Sequence, residues 1–317
     1  ACRSRGPGGK RTPDLARGFC QFRTGAKESR LMSGFTETWL SQREPYDHAA
    51  RSQDLLVALQ HWRQGRDALS VVDLGSGTGS NLRALAPVLG GRQSWTLIDY
   101  DPSLAAAALV KLRGWATDQG FKHNESASGL SIEGPGFFAA VTCRRADLRQ
   151  LDALPLAPAD LVTGSALLDL VSREWLERLA SACRGKALCF ALTFDGDLDF
   201  DPEDPGDSHL RNAFLRHQAG DKGFGPAMGA QAPGIASAVL REQGHQVSGA
   251  ASPWRLGPRD QALQSALFEG YIQAAKEIAP EQGSEIDAWF ARRSDLLKQG
   301  ALHVVGHRDL LALPVAP

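Results

Sequence analysis

The sequence predicts an α/β protein built on one doubly wound, mostly parallel sheet. Two observations lead to this class. Short apolar segments rich in β-branched residues alternate with segments of helical periodicity, which is the pattern of βαβ units. The first apolar segment, Ala68–Leu74, runs directly into a glycine-rich turn, as a buried parallel strand does. Because crossovers between parallel strands are right-handed, we expect helices on both faces of the sheet.

The elements of the first half follow from local patterns. Leucines at helical spacing predict helix over residues 35–63, ahead of the first strand. A helix over 81–89 is stopped by Gly90 and Gly91, and residues 95–99 form the second strand. Asp101 is the predicted N-cap of the next helix, with Pro102 at its first position and a body over 103–112.

The second half continues the alternation. We expect three more strands at residues 139–145, 160–164 and 187–194, with a helix over 173–183 before the last of them. Further helices are predicted at 235–243, Gln261–Ile278 and 286–298. Between them lies a strand at 246–251, and a final strand covers 302–305 or extends into 309–311.

Composition excludes several classes of protein. The 317 residues are 43% hydrophobic and 22% charged, with a formal net charge of -1, so overall charge gives no sign of a nucleic-acid partner. No apolar stretch approaches the ~18 residues that span a membrane. The five cysteines form no CxxC pair, which argues against a zinc site or a disulfide framework. We therefore expect a cytoplasmic protein without a metal.

Residues 1–31 differ from the rest. They hold eight basic and two acidic residues and little apolar periodicity, which predicts a disordered basic tail. Our hypothesis is that the native chain starts at Met32 and that the tail is upstream sequence; a transit peptide is the alternative. Residues 32–317 are predicted to form one domain, with a helical cap over 33–66.

The glycine turn carries the functional prediction. Gly75, Gly77 and Gly79 follow a strand that ends in Asp73, and glycines permit positive φ and close approach of a ligand to the backbone. The helix that follows offers free N–H groups. Asp99 ends the second strand, where a carboxylate accepts hydrogen bonds from ribose hydroxyls.

These segments resemble class I S-adenosylmethionine-dependent methyltransferases over roughly residues 68–195. The matched segments are residues 71–79, the acidic strand end at 98–102, the loop at 146–148 and the strand at 160–166. The resemblance implies S-adenosylmethionine as cofactor and a Rossmann-like sheet. It assigns the methionine part to the three glycines and Asp73, the ribose to Asp99, and the adenine to Tyr100 and Asp147. Ser76 and Ser165 lie in the matched segments and are also predicted to line the cofactor site.

A nicotinamide-dependent oxidoreductase is the alternative. Its G-x-G-x-x-G fingerprint requires a third glycine where this chain has Ser80. An acid at Asp73 also disfavours a pyrophosphate. Two further alternatives stay open, namely a methyltransferase acting on RNA or protein and a non-catalytic cofactor-binding module. We expect a small-molecule acceptor, and the sequence leaves the acceptor atom and the oligomeric state undetermined.

Residues 195–231 are predicted to insert after the fifth strand as a lid over the site. Seven acids between Asp195 and Asp207 predict a solvated acidic loop. Ligands bind at the carboxyl ends of the strands in such folds, so an insertion there reaches the acceptor. The predicted acceptor contacts in this insertion are His217, Gln218, Lys222 and Phe224.

Two residues are the candidate general bases. They are His217 in the lid and Asp169, which follows the fourth strand. The helical cap contributes a further group of acceptor contacts, Tyr46 and His48. Arg51 in the same cap is predicted to bind the methionine carboxylate in bidentate fashion.

Overall fold

The computed structural model describes residues 35–126 and 129–315. The predicted basic tail and its boundary at Met32 lie outside the described residues. Within them the helices are Glu37–Ala50 (α1), Gln53–Arg63 (α2), Ser80–Leu89 (α3), Pro102–Asp118 (α4), Arg173–Ala182 (α5), Asp207–Gln218 (α6), Ala232–Glu242 (α7), Gln261–Ile278 (α8) and Gly283–Lys298 (α9).

The strands form one sheet. They are Ala68–Leu74 (β1), Gly91–Asp99 (β2), Lys122–Ser126 (β3), Gly129–Gly134 (β4), Phe137–Arg145 (β5), Leu161–Ser165 (β6), Ala187–Asp201 (β7), His245–Ala251 (β8), Trp254–Leu256 (β9) and Leu302–Pro314 (β10). Their order is β3-β4-β5-β2-β1-β6-β7-β10-β8, with β9 paired to β10.

The predicted doubly wound sheet is confirmed in its centre. The five strands β5, β2, β1, β6 and β7 run parallel to one another. Alternate side chains of β1 enter opposite layers, so Val71 packs with α3 and α4, whereas Val72 packs with α5 and α7. The carboxyl ends of all five strands therefore meet at one edge between two helical layers, where ligands bind in such sheets.

Local chemistry explains the predicted helix ends. The Asp101 side chain accepts from the Ser103 amide, and Pro102 occupies the first turn of α4, as expected. Gly90 ends α3 with a φ of 63°, a left-handed value that favours glycine. The helical cap is also present, but it consists of two helices, because the Ser52 side chain caps a new helix just after Arg51.

Two antiparallel features extend the parallel centre. Strand β10 runs antiparallel between β7 and β8 as one continuous strand, longer than either predicted version. The hairpin of β3 and β4 adds an edge beside β5 that the sequence did not predict. All five residues of β3 are exposed, so this strand lacks the apolar periodicity from which a strand is predicted.

The prediction of a solvated acidic loop after the fifth strand is wrong. Strand β7 continues to Asp201, with Leu198 and Phe200 buried and the alternating Asp197, Asp199 and Asp201 exposed. Burial that alternates every second residue is typical of a strand with one solvent-exposed face. The many acidic residues made this alternation hard to recognise in the sequence. Two later acids, Asp204 and Asp207, are buried.

Those two buried acids anchor the segment instead of solvating it. Asp204 accepts two hydrogen bonds from Arg292 at 2.6 and 2.8 Å. Asp207 accepts from the Trp289 indole N–H at 2.8 Å and from the guanidinium of Arg293, which is 1% exposed. Because both arginines lie on α9, the start of α6 is tied to the C-terminal helices.

A third core forms where β7 and β10 extend beyond the parallel sheet. Its buried side chains come from that extension and from α6, α8 and α9, together with Trp39 of α1. Within it, Phe200 stacks on His303 at 4.4 Å between ring centroids. Most of the predicted lid is thus part of a packed layer above the strand ends.

No helix in residues 35–126 and 129–315 has the length and apolarity to cross a membrane.

Candidate functional site

The glycine turn adopts the backbone that its sequence requires. Gly75, Gly77 and Gly79 have φ values of 66°, 52° and 77°, all in the left-handed region. The Ser76 amide donates to the Ile98 carbonyl at 2.9 Å, which holds the turn against the end of β2. A Cβ at Gly77 would lie 3.1 Å from Leu40, so the turn and α1 are in close contact.

A cleft with about 1080 Å³ of empty space, including its open mouth, lies at the carboxyl ends of β1, β2 and β6. Of the predicted cofactor residues, it is lined by Gly75, Ser76, Gly77, Asp99, Tyr100, Asp147 and Ser165. Apolar side chains form most of the remaining wall, namely Phe35, Leu40, Leu104, Leu148, Leu167, Leu170 and Phe224.

Two buried carboxylates flank the glycine turn. Asp99 accepts from the Gly77 amide at 2.8 Å and from the Asp101 amide at 2.9 Å, and burial raises its pKa. Asp73 is fully buried, and its Oδ2 has no hydrogen-bond partner among the described residues. Burial raises the pKa of Asp73 to about 7, and the charge of Asp99 adds to the increase. This end of the cleft is therefore acidic.

Asn81 connects the cleft to Asp73 and Arg51, which the sequence had assigned to the methionine part of the cofactor. Its Nδ2 donates to Asp73 Oδ1 at 2.8 Å and to Thr163 Oγ1 at 3.0 Å. Its Oδ1 accepts from Arg51 Nη2 at 2.7 Å. Asn81 lines the cleft, whereas Asp73 and Arg51 lie behind it. The predicted direct role of Arg51 is thus not what this geometry favours, because its guanidinium is committed to Asn81.

The predicted adenine end contains an ion pair that the sequence did not reveal. Arg149 donates to both carboxylate oxygens of Asp147 and holds the pKa of that carboxyl below its usual range. Both residues line the cleft, as does Tyr100. The guanidinium of Arg145 lies 5.2 Å from the centroid of the Tyr100 ring. Tyr100 is thus held by a cation–π contact at the mouth of the site.

Helix α1 is fastened over the glycine turn by polar contacts. Glu44 accepts two hydrogen bonds from Arg83 at 2.6 Å, and His48 Nε2 lies 2.9 Å from Ser80 Oγ. His48 therefore positions the helix and is absent from the cleft wall. Tyr46 was also predicted to contact the acceptor, but its hydroxyl donates to Asp260 at 2.8 Å on the side away from the turn.

The charged residues of α1 that line the cleft are Arg43 and Asp47, which the sequence reasoning missed. Arg43 Nε and Nη2 donate to the two oxygens of Asp47 at 2.9 and 3.1 Å, and both residues are buried. Their spacing of four residues was visible in the sequence. Nothing local, however, distinguished this pair from a solvated one.

The predicted lid is divided between cleft and surface. Lys222 and Phe224 line the cleft, in agreement with the prediction, and Phe224 packs edge-on against Trp175. His217 and Gln218 do not line it. His217 Nε2 lies 3.2 Å from Glu277, and its backbone carbonyl accepts from Lys222 at 2.9 Å. His217 is thus one contact removed from the cleft, and its role as a base stays a prediction.

Asp169 lies in a short 3-10 helix, Leu168–Leu170, and does not itself line the cleft, although Leu167 and Leu170 on either side of it do. It is buried, and its Oδ1 has no hydrogen-bond partner among the described residues. Burial raises its pKa to about 6, against the opposing effect of nearby backbone N–H groups and the charge of Arg43. A carboxyl group titrating near neutral pH can accept a proton from an acceptor atom.

The strand ends beside Asp169 are strained. Ala166 and Leu192 have φ values of 51° and 55°, which are uncommon outside glycine. Ala166 lines the cleft, and its amide donates to the Ala191 carbonyl at 2.9 Å. The end of β6 and the middle of β7 are thus held together in a conformation that costs free energy, as is frequent at binding sites.

Comparison with known proteins adds the following. No family model matches the chain, and no curated protein sequence matches it. One solved structure with a similar fold is YcgJ from Bacillus subtilis. It is 13% identical, the match covers 84% of this chain and 100% of that one, and the TM-score is 0.45. The cyclopropane synthase MmaA2 from Mycobacterium tuberculosis is 10% identical, with coverages of 89% and 96% and a TM-score of 0.43.

A third similar structure is an arsenic(III) S-adenosylmethionine methyltransferase from Chlamydomonas reinhardtii. It is 16% identical, the match covers 78% of this chain and 64% of that one, and the TM-score is 0.39. Likeness at this level assigns the chain to no family.

Among residues 35–126 and 129–315, no group of three or more His, Cys, Asp or Glu side chains is arranged to hold a metal ion.

Proposed function

We propose that this protein is an S-adenosylmethionine-dependent methyltransferase that acts on a small molecule. The observation that carries the proposal is the buried carboxyl group of Asp73, at the end of β1 where the glycine turn begins. Asp99 would bind ribose hydroxyls in either cofactor class and does not discriminate between them. A carboxylate repels the pyrophosphate of a dinucleotide. S-adenosylmethionine carries no phosphate, and its sulfonium and ammonium groups are cations. The acidic turn therefore fits this cofactor.

The sheet order also disfavours the nicotinamide alternative. Dinucleotide-binding sheets place their strands in the order 3-2-1-4-5-6, all parallel. Here β10 enters antiparallel between β7 and β8, so the strand next to β7 is reversed. Helix α3 begins at Ser80, the position at which the dinucleotide fingerprint requires its third glycine.

The residues present fit the cofactor. Oδ2 of Asp73 has no hydrogen-bond partner among the described residues and can accept a hydrogen bond. A Cβ at position 77 would lie 3.1 Å from Leu40, so only glycine keeps the space beside the turn open. Asp99 would bind the ribose hydroxyls, and Tyr100 with Asp147 would hold the adenine. Asn81 would orient the amino acid part, with Asp73 and Arg51 behind it. When bound, S-adenosylmethionine supplies a methyl carbon activated by a sulfonium.

On the acceptor side, the chain has to orient the acceptor, exclude water and remove a proton where there is one. Helix α1 covers the glycine turn, and Phe224 closes the opposite wall of the cleft, so both limit access of water. Asp169 would receive the proton at Oδ1, in a role that its raised pKa suits. Lys222 and Phe224 would contact the acceptor. The enclosure of the cleft by α1 supports a small molecule over an RNA or a protein.

Calorimetric titration with S-adenosylhomocysteine, with NADH as the comparison ligand, tests the cofactor class. We expect micromolar binding of S-adenosylhomocysteine and none of NADH. Asp118→Asn, which changes an exposed carboxylate at the end of α4, is the control and should bind like the wild type. Tight binding of NADH alone would overturn the proposal and return the glycine turn to hydride-transfer chemistry.

A further inference from the structure

The guanidinium of Arg43 has unused hydrogen-bonding capacity beside the cleft. Arginine carries five N–H donors, and the contacts with Asp47 use one on Nε and one on Nη2. Among the described residues, Nη1 has no hydrogen-bond partner. No nitrogen of Arg43 is among the enclosed unpartnered atoms, in contrast to Nε of Arg51. The Nη1–Nη2 edge therefore faces accessible space, and Arg43 lines the cleft.

The orientation of this guanidinium is set from two sides. Asp47 binds it side-on, and its central carbon lies 4.9 Å from the centroid of the Trp254 ring. Both partners are buried, so the side chain has little freedom to turn away. Helix α1 is in addition fastened to α3 through Glu44 and Arg83. Arg43 is thus a positioned cation and not a mobile surface charge.

Buried polar atoms without partners surround Arg43. They are Oδ1 of Asp169, Nε1 of Trp254 and Nδ1 of His307, from three different elements. The rings of Trp254 and His307 are 4.9 Å apart. Burial and, after it, the charge of Arg43 lower the pKa of His307, whereas at Asp169 the same charge opposes the rise in pKa that burial causes. Enclosed polar atoms are rarely left unpaired, so the cluster requires an explanation, and a ligand bound beside Arg43 is one.

The position of Arg43 separates it from the cofactor end of the site. Arg51, Asn81 and Asp73 form their own network at the glycine turn. Arg51 follows Arg43 by eight residues, which is about two turns of helix. Arg43 instead lies beside Asp169, which follows β6, and beside Trp254 of β9.

We propose that Arg43 is the anchor of the acceptor site, and that the methyl acceptor is an organic acid with an apolar body, held by its carboxylate on the Nη1–Nη2 edge. This inference rests on the proposed function. The planar edge of a guanidinium matches the two oxygens of a carboxylate in a bidentate pair. The predominantly apolar wall of the cleft accommodates the rest of such a molecule.

The test uses the full chain and two pairs of probes. S-adenosylhomocysteine is titrated first, and then benzoate and butyrate are titrated into the saturated protein, with benzamide and butyramide as uncharged isosteres. We expect each carboxylate to bind about tenfold more tightly than its amide, because only the anion gains the charged hydrogen bonds.

The decisive variant is Arg43→Gln with Asp47→Asn, which removes both charges and so leaves no unpaired buried carboxylate. It should bind carboxylates and amides equally, with the affinity for S-adenosylhomocysteine unchanged. Arg173→Gln, which removes an exposed arginine on α5, is the matched control and should keep the preference for carboxylates. Circular dichroism and the retained S-adenosylhomocysteine affinity show that the variant is folded.

Two outcomes would overturn the inference alone. The first is a wild-type protein that binds S-adenosylhomocysteine but shows no preference for carboxylates over amides. The second is a double variant that loses affinity for S-adenosylhomocysteine but not for 5′-methylthioadenosine, since Arg43 would then bind the carboxylate of the cofactor. Failure of the wild type to bind S-adenosylhomocysteine would instead refute the proposed function.

Discussion

Replacing Asp73 by Asn should stabilise the protein in the absence of cofactor, and the gain should grow with pH. Asp73 is fully buried with a pKa of about 7, against an ordinary value of 3.8. Between these values the folded state binds more protons than the unfolded state, so the wild type loses stability as the pH rises through this window. An Asn side chain carries no charge and removes that loss, while its Oδ1 can still accept from Asn81.

The magnitude follows from the two pKa values. At pH 8 the ionised Asp73 costs the folded wild type about 4 kcal/mol, and at pH 5 it costs roughly 2 kcal/mol, because one pKa unit corresponds to ~1.4 kcal/mol. The advantage of Asp73→Asn should therefore grow by about 2–3 kcal/mol between the two conditions, a large share of the ~5–15 kcal/mol that stabilises a typical domain.

Urea unfolding followed by tryptophan fluorescence measures this difference. Wild type and variant are compared at pH 5 and pH 8, which cancels every other titrating group common to both. Asp118→Asn is the control, and its stability difference from the wild type should not change with pH. If the Asp73→Asn advantage is the same at both pH values, the buried carboxylate does not titrate as described, and the acidic character of the glycine turn has been misjudged.

Three further predictions concern the cofactor site and the third core. Asp99→Ala should weaken S-adenosylhomocysteine binding by about 1–3 kcal/mol through lost hydrogen bonds to the ribose, and unchanged calorimetric affinity would contradict the assignment. Gly77→Ala should cost about 1–3 kcal/mol of unfolding free energy, since its φ of 52° strains any side chain and the new Cβ would lie 3.1 Å from Leu40. Adding Leu40→Ala should recover only the contact part of that loss. Arg293→Met should lower the free energy of unfolding by about 3–5 kcal/mol, because Asp207 would be left as an uncompensated buried charge. If Asp207→Asn does not restore part of that stability in urea melts, the buried pair is not the cause.

Local patterns were enough to predict the centre of the fold. The unit of β1, glycine turn and α3 is legible because strand periodicity, left-handed glycines and helix capping each depend on a few neighbouring residues. The same holds for the Asp101–Pro102 start of α4 and for Asp99 at the end of β2. Longer-range pairing of these elements follows from the handedness of parallel crossovers.

The remaining features depended on contacts between distant residues. The acids after the predicted fifth strand suggested a solvated loop. Pairing with β10, however, makes residues up to Asp201 part of β7, and arginines of α9 pair with the buried Asp204 and Asp207. Sequence reasoning selected Arg51 from the helical cap, whereas Arg43 is the arginine that lines the cleft. Which arginine of one helix faces a ligand depends on where α1 packs against α3 and β9. The sequence by itself determined the glycine turn and its flanking acids, because turn and strand-end chemistry are local. Only the tertiary structure decided which charges are buried, paired or open to the cleft, because those states depend on partners far away in the chain.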